Sequence, residues 1–262
     1  SQDHGPVRFS IPPDLAVCAA CVQELFAPGN RRYGYPFTSC TQCGPRYTVL
    51  HHLPYDRSNT TLNRFPLCSA CQDEYKNPLD RRFHAESMAC ALCGPKTELL
   101  DAMGKPMAKQ DMGTVRLALA AGAILALRGV GGFQLIVDPR HRDAVQRLRE
   151  KKRRPQKPLA VMARTLAVLQ GLCPLSVEQE RLLLHPSAPI LVLDLHAAQG
   201  PLEHLFALDL LTPEGRTLGG MLPTTPLHHL LFSPLEGDSL PPFDLLVVTS
   251  GNRSGEPLCI GN

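Results

Sequence analysis

Four Cys-x-x-Cys pairs stand in the first hundred residues: Cys18/Cys21, Cys40/Cys43, Cys68/Cys71 and Cys90/Cys93. Eighteen residues separate the first pair from the second, twenty-four the second from the third and eighteen the third from the fourth, so one unit occurs twice at an offset of fifty residues. The copies agree outside the cysteines as well: Arg31-Arg32-Tyr33 answers Arg81-Arg82-Phe83, and Cys43-Gly44-Pro45 answers Cys93-Gly94-Pro95. Each pair aims two thiolates at one point, and two pairs complete the tetrahedron that zinc accepts. Two zinc ions are therefore expected, structural rather than catalytic, because four thiolates leave no open coordination position. The repeat favours closure of a site within each copy, and spacing alone leaves interleaving of pairs between copies open. The rival chemistry is a disulfide framework of the kind that staples small secreted domains, against which the matched double Cys-x-x-Cys spacing argues for metal.

Three further stretches carry polar chemistry. Arg128-Gly129-Val130-Gly131-Gly132-Phe133 lets backbone N–H groups approach a phosphate or a small planar substrate, although a plain tight turn has the same composition. The run Lys151-Lys152-Arg153-Arg154-Pro155-Gln156-Lys157-Pro158 has a bland alternative in a solvated basic helix end, yet two prolines clamp it and it leads straight into an apolar strand. Thr249-Ser250-Gly251-Asn252-Arg253-Ser254-Gly255-Glu256-Pro257 follows another strand and offers several hydrogen bonds, or forms an ordinary turn. All three fall at the ends of expected strands or helices, where open α/β sheets place ligands. Together they point to an anionic ligand, a nucleotide, and ATP activation of an acid would need such Lys and Arg charge together with Mg2+.

The elements that must position these residues divide the chain in two. Residues 1–105 are expected to form a small duplicated zinc-knuckle domain and linker, and residues 106–262 an α/β domain around a mixed, twisted sheet that is cut short at its carboxyl end. An extended lead runs through Pro12-Pro13-Asp14, and short strands are expected at Thr48–Leu50 and Thr97–Leu100, with a linker from Asp101 to Asp111. In the second domain the patterns give a helix over Thr114–Ala121 and strands over Ile124–Leu127 and Phe133–Val137, then a helix opened by Asp138-Pro139 and running to about Lys152. A strand over Pro158–Met162, a capping box at Ser176–Gln179, a strand at Ile190–Leu193, a helix at Thr225–Phe232 and a strand at Leu245–Val248 follow. The 262 residues carry a net charge of only +3, which does not by itself call for nucleic acid. No apolar run reaches membrane length and the first residues lack a secretory core, so a cytoplasmic protein without a membrane partner is expected.

At these residues the chain resembles a known family. Lys152-x-Arg154-Pro155 matches the Lys-x-Arg signature of YrdC-like, carbamoyl-adenylate-forming domains, and Ser250-x-Asn252 their Ser-x-Asn signature. Preceded by doubled zinc knuckles, the chain from about Pro12 onward is similar to the central region of the HypF family of carbamoyltransferases, including Arg81-Arg82-Phe83-His84-Ala85, Gly131-Gly132-Phe133 and Met221 to His228. The resemblance implies a YrdC-like domain that joins carbamate, derived from carbamoyl phosphate, to ATP as carbamoyl adenylate. The carbamoyl group then passes to the carboxy-terminal cysteine of the partner HypE, supplying the cyanide ligands of [NiFe] hydrogenase. The family's acylphosphatase-like and Kae1-like domains are not represented in this chain.

The same resemblance implies roles for individual residues: Lys152 and Arg154 catalytic through phosphate contact and charge neutralisation, Ser250 and Asn252 on the nucleotide, Arg128 with Gly131 and Gly132 at the carbamate end, and Lys157, Thr225 and His228 lining the same pocket. Two rivals stand beside it. One is threonylcarbamoyl-adenylate synthesis for tRNA modification, on a similar domain. The other is a nucleic-acid module in which Arg31, Arg32, Arg81 and Arg82 grip phosphates, disfavoured by few aromatics and low charge. His84 replaces Gly34 of the first copy and reads as a packing or surface residue, and Cys173 and Cys259 as small buried hydrophobes.

Overall fold

The computed structural model describes residues 11–197, 203–213, 215–253 and 255–260; the first ten residues of the extended lead and Ser254 of the hydroxyl- and amide-rich loop lie outside them. The backbone separates into two compact units between Lys96 and Thr97.

In the first unit each copy is built on one eight-residue helix, α1 over Ala19–Phe26 and α2 over Ser69–Lys76. Each helix starts directly after the first cysteine of its copy, with Cys18 and Cys68 at the N-cap positions. The second cysteine of the pair thereby falls on the inward face, and both Cys21 and Cys71 are fully buried. The apolar clusters of this unit are small and consist largely of the cysteines themselves, with Ala85 and Met88 added in the second copy. Thr48–Leu50 is not a strand: residues Tyr47–Val49 form a single 3-10 turn, and only Leu50 pairs, with Thr60, as an isolated bridge. At residues 97–100 the chain likewise makes only one bridge, Leu100 to Pro106. His84 takes the left-handed backbone conformation (φ 49°) that Gly34 takes in the first copy (φ 65°), and its ring packs on Tyr75 and Phe83. That is the packing role expected of it.

The second unit contains six helices among the described residues: α3 Met112–Ala120, α4 Arg142–Lys152, α5 Leu166–Gln170, α6 Val177–Leu183, α7 Leu208–Leu211 and α8 Pro226–Phe232. They cover a sheet of β1 Leu125–Gly129, β2 Gly132–Val137, β3 Ala160–Ala163, β4 Leu191–Asp194, β5 Thr217–Met221 and β6 Leu245–Ser250, in the order β1-β2-β6-β3-β5-β4. Only β3 and β5 run parallel, so the sheet is mixed, as expected. Alternation along the central strand explains the layering. Leu245 and Val247 of β6 face a core with Leu148 of α4, Leu169 of α5, Leu183 of α6 and Leu211 of α7, while Leu246 and Val248 face Leu119 of α3 and Leu231 of α8. A strand buried on both faces must be apolar at every position, which is why β6 reads as an unbroken hydrophobic run.

Several local expectations hold and others shift. The Ser176/Gln179 capping box is present at α6, and Thr225 caps α8 with Pro226 at its first position. Asp138 does not cap α4, which begins at Arg142 with His141 at its N-cap. Its fully buried carboxylate instead accepts from the Arg140 backbone N–H at 2.9 Å and pairs with the Arg140 guanidinium at 2.7 Å, satisfying a buried charge that a helix end alone would not. Strand β5 is hidden in the sequence by Gly219-Gly220, which reads as a breaker. Gly220 is closely approached: a Cβ there would meet Leu193 Cδ1 at 2.7 Å and Leu169 Cδ2 at 3.2 Å. Cys173 is buried in the core, whereas Cys259 is exposed and engages through its carbonyl, which accepts from Phe133 N at 2.8 Å. Among the described residues no helix is long and apolar enough to cross a membrane.

Candidate functional site: two thiolate tetrads and an apolar groove

Each copy of the knuckle closes its own tetrad. The four Sγ atoms of Cys18, Cys21, Cys40 and Cys43 lie within 4.8 Å of one another, as do those of Cys68, Cys71, Cys90 and Cys93. A zinc–sulfur bond of about 2.3 Å at tetrahedral angles sets sulfur–sulfur edges of about 3.8 Å. Three of the six edges measure 3.6 to 3.7 Å in the first copy and 3.5 to 3.8 Å in the second, the rest lying within 4.8 Å. A disulfide would bring two sulfurs to about 2.05 Å, and all eight cysteines are free. The donor set therefore fits one tetrahedral zinc per copy and not a disulfide framework. Interleaving of the copies is excluded by the same distances.

What does cross between the copies is the repeated arginine pair. Arg31 of the first copy donates to Cys71 Sγ of the second at 2.7 Å, and Arg81 of the second donates to Cys21 Sγ of the first at 3.2 Å. Arg32 is 2% exposed and bonds Glu74 Oε1 at 3.1 Å and Ala89 O at 3.1 Å. Arg82, 3% exposed, reproduces this fifty residues on, with Glu24 Oε1 at 3.3 Å and Ser39 O at 3.0 Å. Four thiolates around one divalent ion leave a formal charge of about −2, and two guanidiniums from the other copy meet it with charge-assisted hydrogen bonds. The four arginines are thus engaged inside the unit, which removes the feature that suggested a nucleic-acid grip. Burial raises the Glu24 and Glu74 carboxyls, but their arginine partners outweigh it and hold both below the ordinary glutamate range. Replacing Glu74 with glutamine leaves Arg32 buried without its carboxylate and is expected to destabilise the first unit by about 3 kcal/mol. Faster release of metal to a colorimetric chelator, from both tetrads together, is the measurement; release confined to the second copy would contradict the interlock.

In the second unit a groove of about 280 Å³ is lined by the Val130–Gly132 turn, Phe133 and Gln134 of β2, Thr249 and Ser250 of β6, and apolar side chains that include Ile190, Met221 and Leu258. Gly131 and Gly132 adopt φ values of 89° and 137°, conformations that suit glycine. The main chain here is also tightly approached, because a Cβ on Gly132 would lie 2.8 Å from the Cys259 carbonyl oxygen. Lys152 is the last residue of α4 and 3% exposed. Its ammonium donates to the carbonyls of Ser250 at 2.5 Å and Asn252 at 2.8 Å, which ties the Lys-x-Arg run to the Ser-x-Asn loop. Arg149 holds the run in place by donating to the carbonyls of Arg154 at 2.6 Å and Pro155 at 3.2 Å. Burial, with the Arg154 charge behind it, pushes the Lys152 ammonium below the usual lysine range.

The remaining candidates are distributed as follows. Arg154 is half-buried, donates to Pro158 O at 2.6 Å, and leaves its Nε buried without a partner. Asn252 donates to Glu256 O at 2.5 Å, and its Oδ1 is also buried and unpartnered. Arg128 is exposed on β1, stacked over Phe133 at 5.8 Å and bonded to Ile260 O at 3.2 Å. Lys157 is exposed and does not join the groove lining. Neither Thr225, the N-cap of α8, nor His228 on that helix lines the groove; His228 is 4% exposed with its Nε2 2.9 Å from Gln134 Oε1. Burial drives the His228 pKa down to about 4, so the imidazole is neutral at ordinary pH. Gln134 was missed by the sequence reading; its signal is that it is the one polar side chain in an otherwise apolar strand.

Residues 117–262 match the family model Sua5–YciO–YrdC, described as telomere recombination. Residues 17–50 and 67–100 each match the model described as HypF finger. The chain is 47% identical over 262 residues to carbamoyltransferase HypF of Synechocystis sp., covering 98% of this chain and 32% of that protein. It is 45% identical over 254 residues to carbamoyltransferase HypF of Rhodobacter capsulatus, covering 96% and 32%. A full-length HypF crystallised in a phosphate- and nucleotide-bound form superposes with a TM-score of 0.85 at 38% identity, over 99% of this chain and 32% of that one. HypF of T. kodakarensis superposes with a TM-score of 0.87 at 37% identity, over 97% and 32%. This chain thus spans about a third of the length of these relatives. With its duplicated finger ahead of its α/β unit, the chain belongs to the Sua5–YciO–YrdC family and corresponds to the zinc-finger and YrdC-like region of the HypF carbamoyltransferases.

Proposed function

We propose that the second unit forms carbamoyl adenylate from ATP and carbamate, and that within a longer carbamoyltransferase this adenylate feeds carbamoyl transfer to the carboxy-terminal cysteine of HypE for the cyanide ligands of [NiFe] hydrogenase. The observation that carries the reading is a buried cationic corner lacking an anion. Among the described residues Lys152 and Arg154 bond only backbone carbonyls, with no carboxylate partner. A desolvated cation without a counter-ion is costly, and phosphate oxygens at this corner would offset the cost. The orphaned Arg154 Nε and Asn252 Oδ1 are further buried polar atoms for which a bound ligand would supply partners.

In the proposed reaction a carbamate oxygen attacks the α-phosphorus of ATP, a new O–P bond forms, and the bond to the β-phosphate oxygen breaks with its electron pair leaving on pyrophosphate. Lys152 and Arg154 stand where negative charge builds on the phosphoryl oxygens, and the Ser250–Asn252 loop holds the nucleotide in place, so catalysis is by positioning and electrostatics. Among the described residues the only clusters of three or more metal-binding side chains are the two cysteine tetrads. Mg2+ would therefore arrive on the triphosphate, where it neutralises phosphate charge.

Threonylcarbamoyl adenylate is the less favoured product because the α/β unit follows a doubled HypF finger. ATP–pyrophosphate exchange decides. Exchange is expected with an ammonium bicarbonate mixture containing carbamate, without stimulation by L-threonine; exchange that requires threonine would assign the alternative reaction.

A further inference from the structure

Gln134 and Ser250 are directly opposed across the antiparallel β2–β6 pair and both line the groove. Opposed residues of adjacent strands share a face of the sheet, so the Gln134 carboxamide stands beside the first residue of the Ser-x-Asn loop, whose carbonyl Lys152 holds. Behind it, His228 Nε2 lies 2.9 Å from Gln134 Oε1. On the other side of the imidazole, the Thr224 backbone N–H points at Nδ1 from 3.4 Å and the Thr224 hydroxyl lies 3.1 Å from the same atom.

These contacts decide the direction of every proton in the chain. A backbone N–H can only donate, so Nδ1 is the accepting nitrogen of a neutral ring and the ring proton sits on Nε2. Nε2–H then donates to Gln134, which fixes the amide with its oxygen toward His228 and its NH2 group away from it. The Gln134 NH2 has no hydrogen-bond acceptor among the described residues. The groove therefore holds, beside Ser250, a pair of oriented N–H donors among apolar walls, Val130, Phe133, Ile190, Met221, Val248 and Leu258. Such a site suits a small planar acid, because one carboxylate oxygen can accept from the outward-facing amide N–H while the rest of the cavity offers no charge for a larger polar side chain to meet.

We propose that Gln134 is the substrate-positioning residue of this unit, its NH2 aimed by the Thr224–His228 relay at the carboxylate of carbamate and holding one carbamate oxygen toward the nucleotide. The assignment deepens the carbamoyl-adenylate reading and rests on it. His228 and Thr224 are positioning residues that act through Gln134, and neither gains or loses a proton in the reaction.

The test uses the zinc-loaded chain in ATP–pyrophosphate exchange, with carbamate supplied from ammonium bicarbonate. Gln134→Met keeps the length of the side chain and removes the donors, and is expected to raise the KM for carbamate about 10- to 100-fold, the worth of hydrogen bonds to an anion, with the KM for ATP within about twofold of the unaltered chain. Gln134→Glu, which turns an anion toward the groove, is expected to raise it further. His228→Leu should raise the carbamate KM as Gln134→Met does, and His228→Gln, which restores an N–H toward Gln134 Oε1, should recover most of the loss. The side-chain amide resonances of Gln134 in the unaltered chain should also shift on adding carbamate, a readout independent of any variant's folding. Carbamate saturation unchanged in Gln134→Met, an equal rise in the KM for ATP, or amide resonances that ignore carbamate would each overturn the assignment. If the unaltered chain binds ATP but shows no carbamate-dependent exchange, the adenylation reading itself fails and takes the assignment with it.

Discussion

Removing zinc with a strong chelator is expected to unfold the first unit, residues 11–96, while the second unit keeps its secondary structure. The first unit has little core apart from its metal ligands: its two apolar clusters are centred on the tetrads, with Ala85 and Met88 in the second, and beyond them only a few apolar side chains such as Leu25, Tyr35, Val49 and Leu62 are buried. Zinc in comparable peptide sites binds with apparent free energies of about 10 to 16 kcal/mol, as large as the whole stability of an ordinary domain, about 5 to 15 kcal/mol. Without the ion, four thiols remain packed within 4.8 Å of one another with nothing to hold them there. The interlocked arginines extend the damage, because Arg81 donates to Cys21 and Arg31 to Cys71. A single Cys21→Ser substitution should therefore weaken metal retention in the second copy as well as abolishing it in the first. Native mass spectrometry counts the ions, and hydrogen exchange resolved by segment reports which unit opens. Retention of protection across residues 19–26 and 69–76 in the metal-free protein would refute the prediction, as would a fully zinc-loaded second copy in Cys21→Ser.

Lys152→Met is expected to reduce carbamate-dependent exchange by about 10²- to 10³-fold, the range seen when a preorganised electrostatic group is removed from an active site, yet to shift the melting temperature by only a few degrees. The two effects separate for a physical reason. In the nucleotide-free protein Lys152 is a buried cation whose hydrogen bonds go to the carbonyls of Ser250 and Asn252. Deleting it orphans those carbonyls but also relieves an uncompensated buried charge, and the two changes oppose each other. With ATP bound the balance differs, since the ammonium would then face phosphate. Thermal stabilisation by ATP is the complementary measurement: saturation at about one hundred times Kd should add about 2.7 kcal/mol to the unaltered protein, and little at the same concentration to the variant. Exchange within a fewfold of the unaltered chain would mean that Lys152 serves the loop alone.

Identity of residues at short spacing was enough to foresee the metal chemistry, the Ser176 capping box, the Thr225–Phe232 helix and the apolar run of β6. Each is decided within a few residues along the chain, by ligand valence, backbone capping or burial of a strand on both faces. Where local rules misled, the folded surroundings had the deciding say: Gly220 hides β5 from the sequence until Leu193 is seen to need the room, and Asp138 reads as opening a helix until its carboxylate is found fully buried and paired with Arg140 two residues on. The helices α1 and α2 had a faint signal, Cys21 and Leu25 one helical turn apart and both buried, but the metal pattern masked it.

Most pairings between remote residues were beyond reach in principle. The repeat favoured closure of each tetrad within its own copy, as found, but the exchange of arginines between copies fifty residues apart and the register that sets Gln134 opposite Ser250 are choices among contacts that a linear spacing permits equally. Chain entropy sets a cost for every such closure that depends only weakly on which one is made; packing, charge pairing and strand register, realised only when the whole unit has folded, select among them.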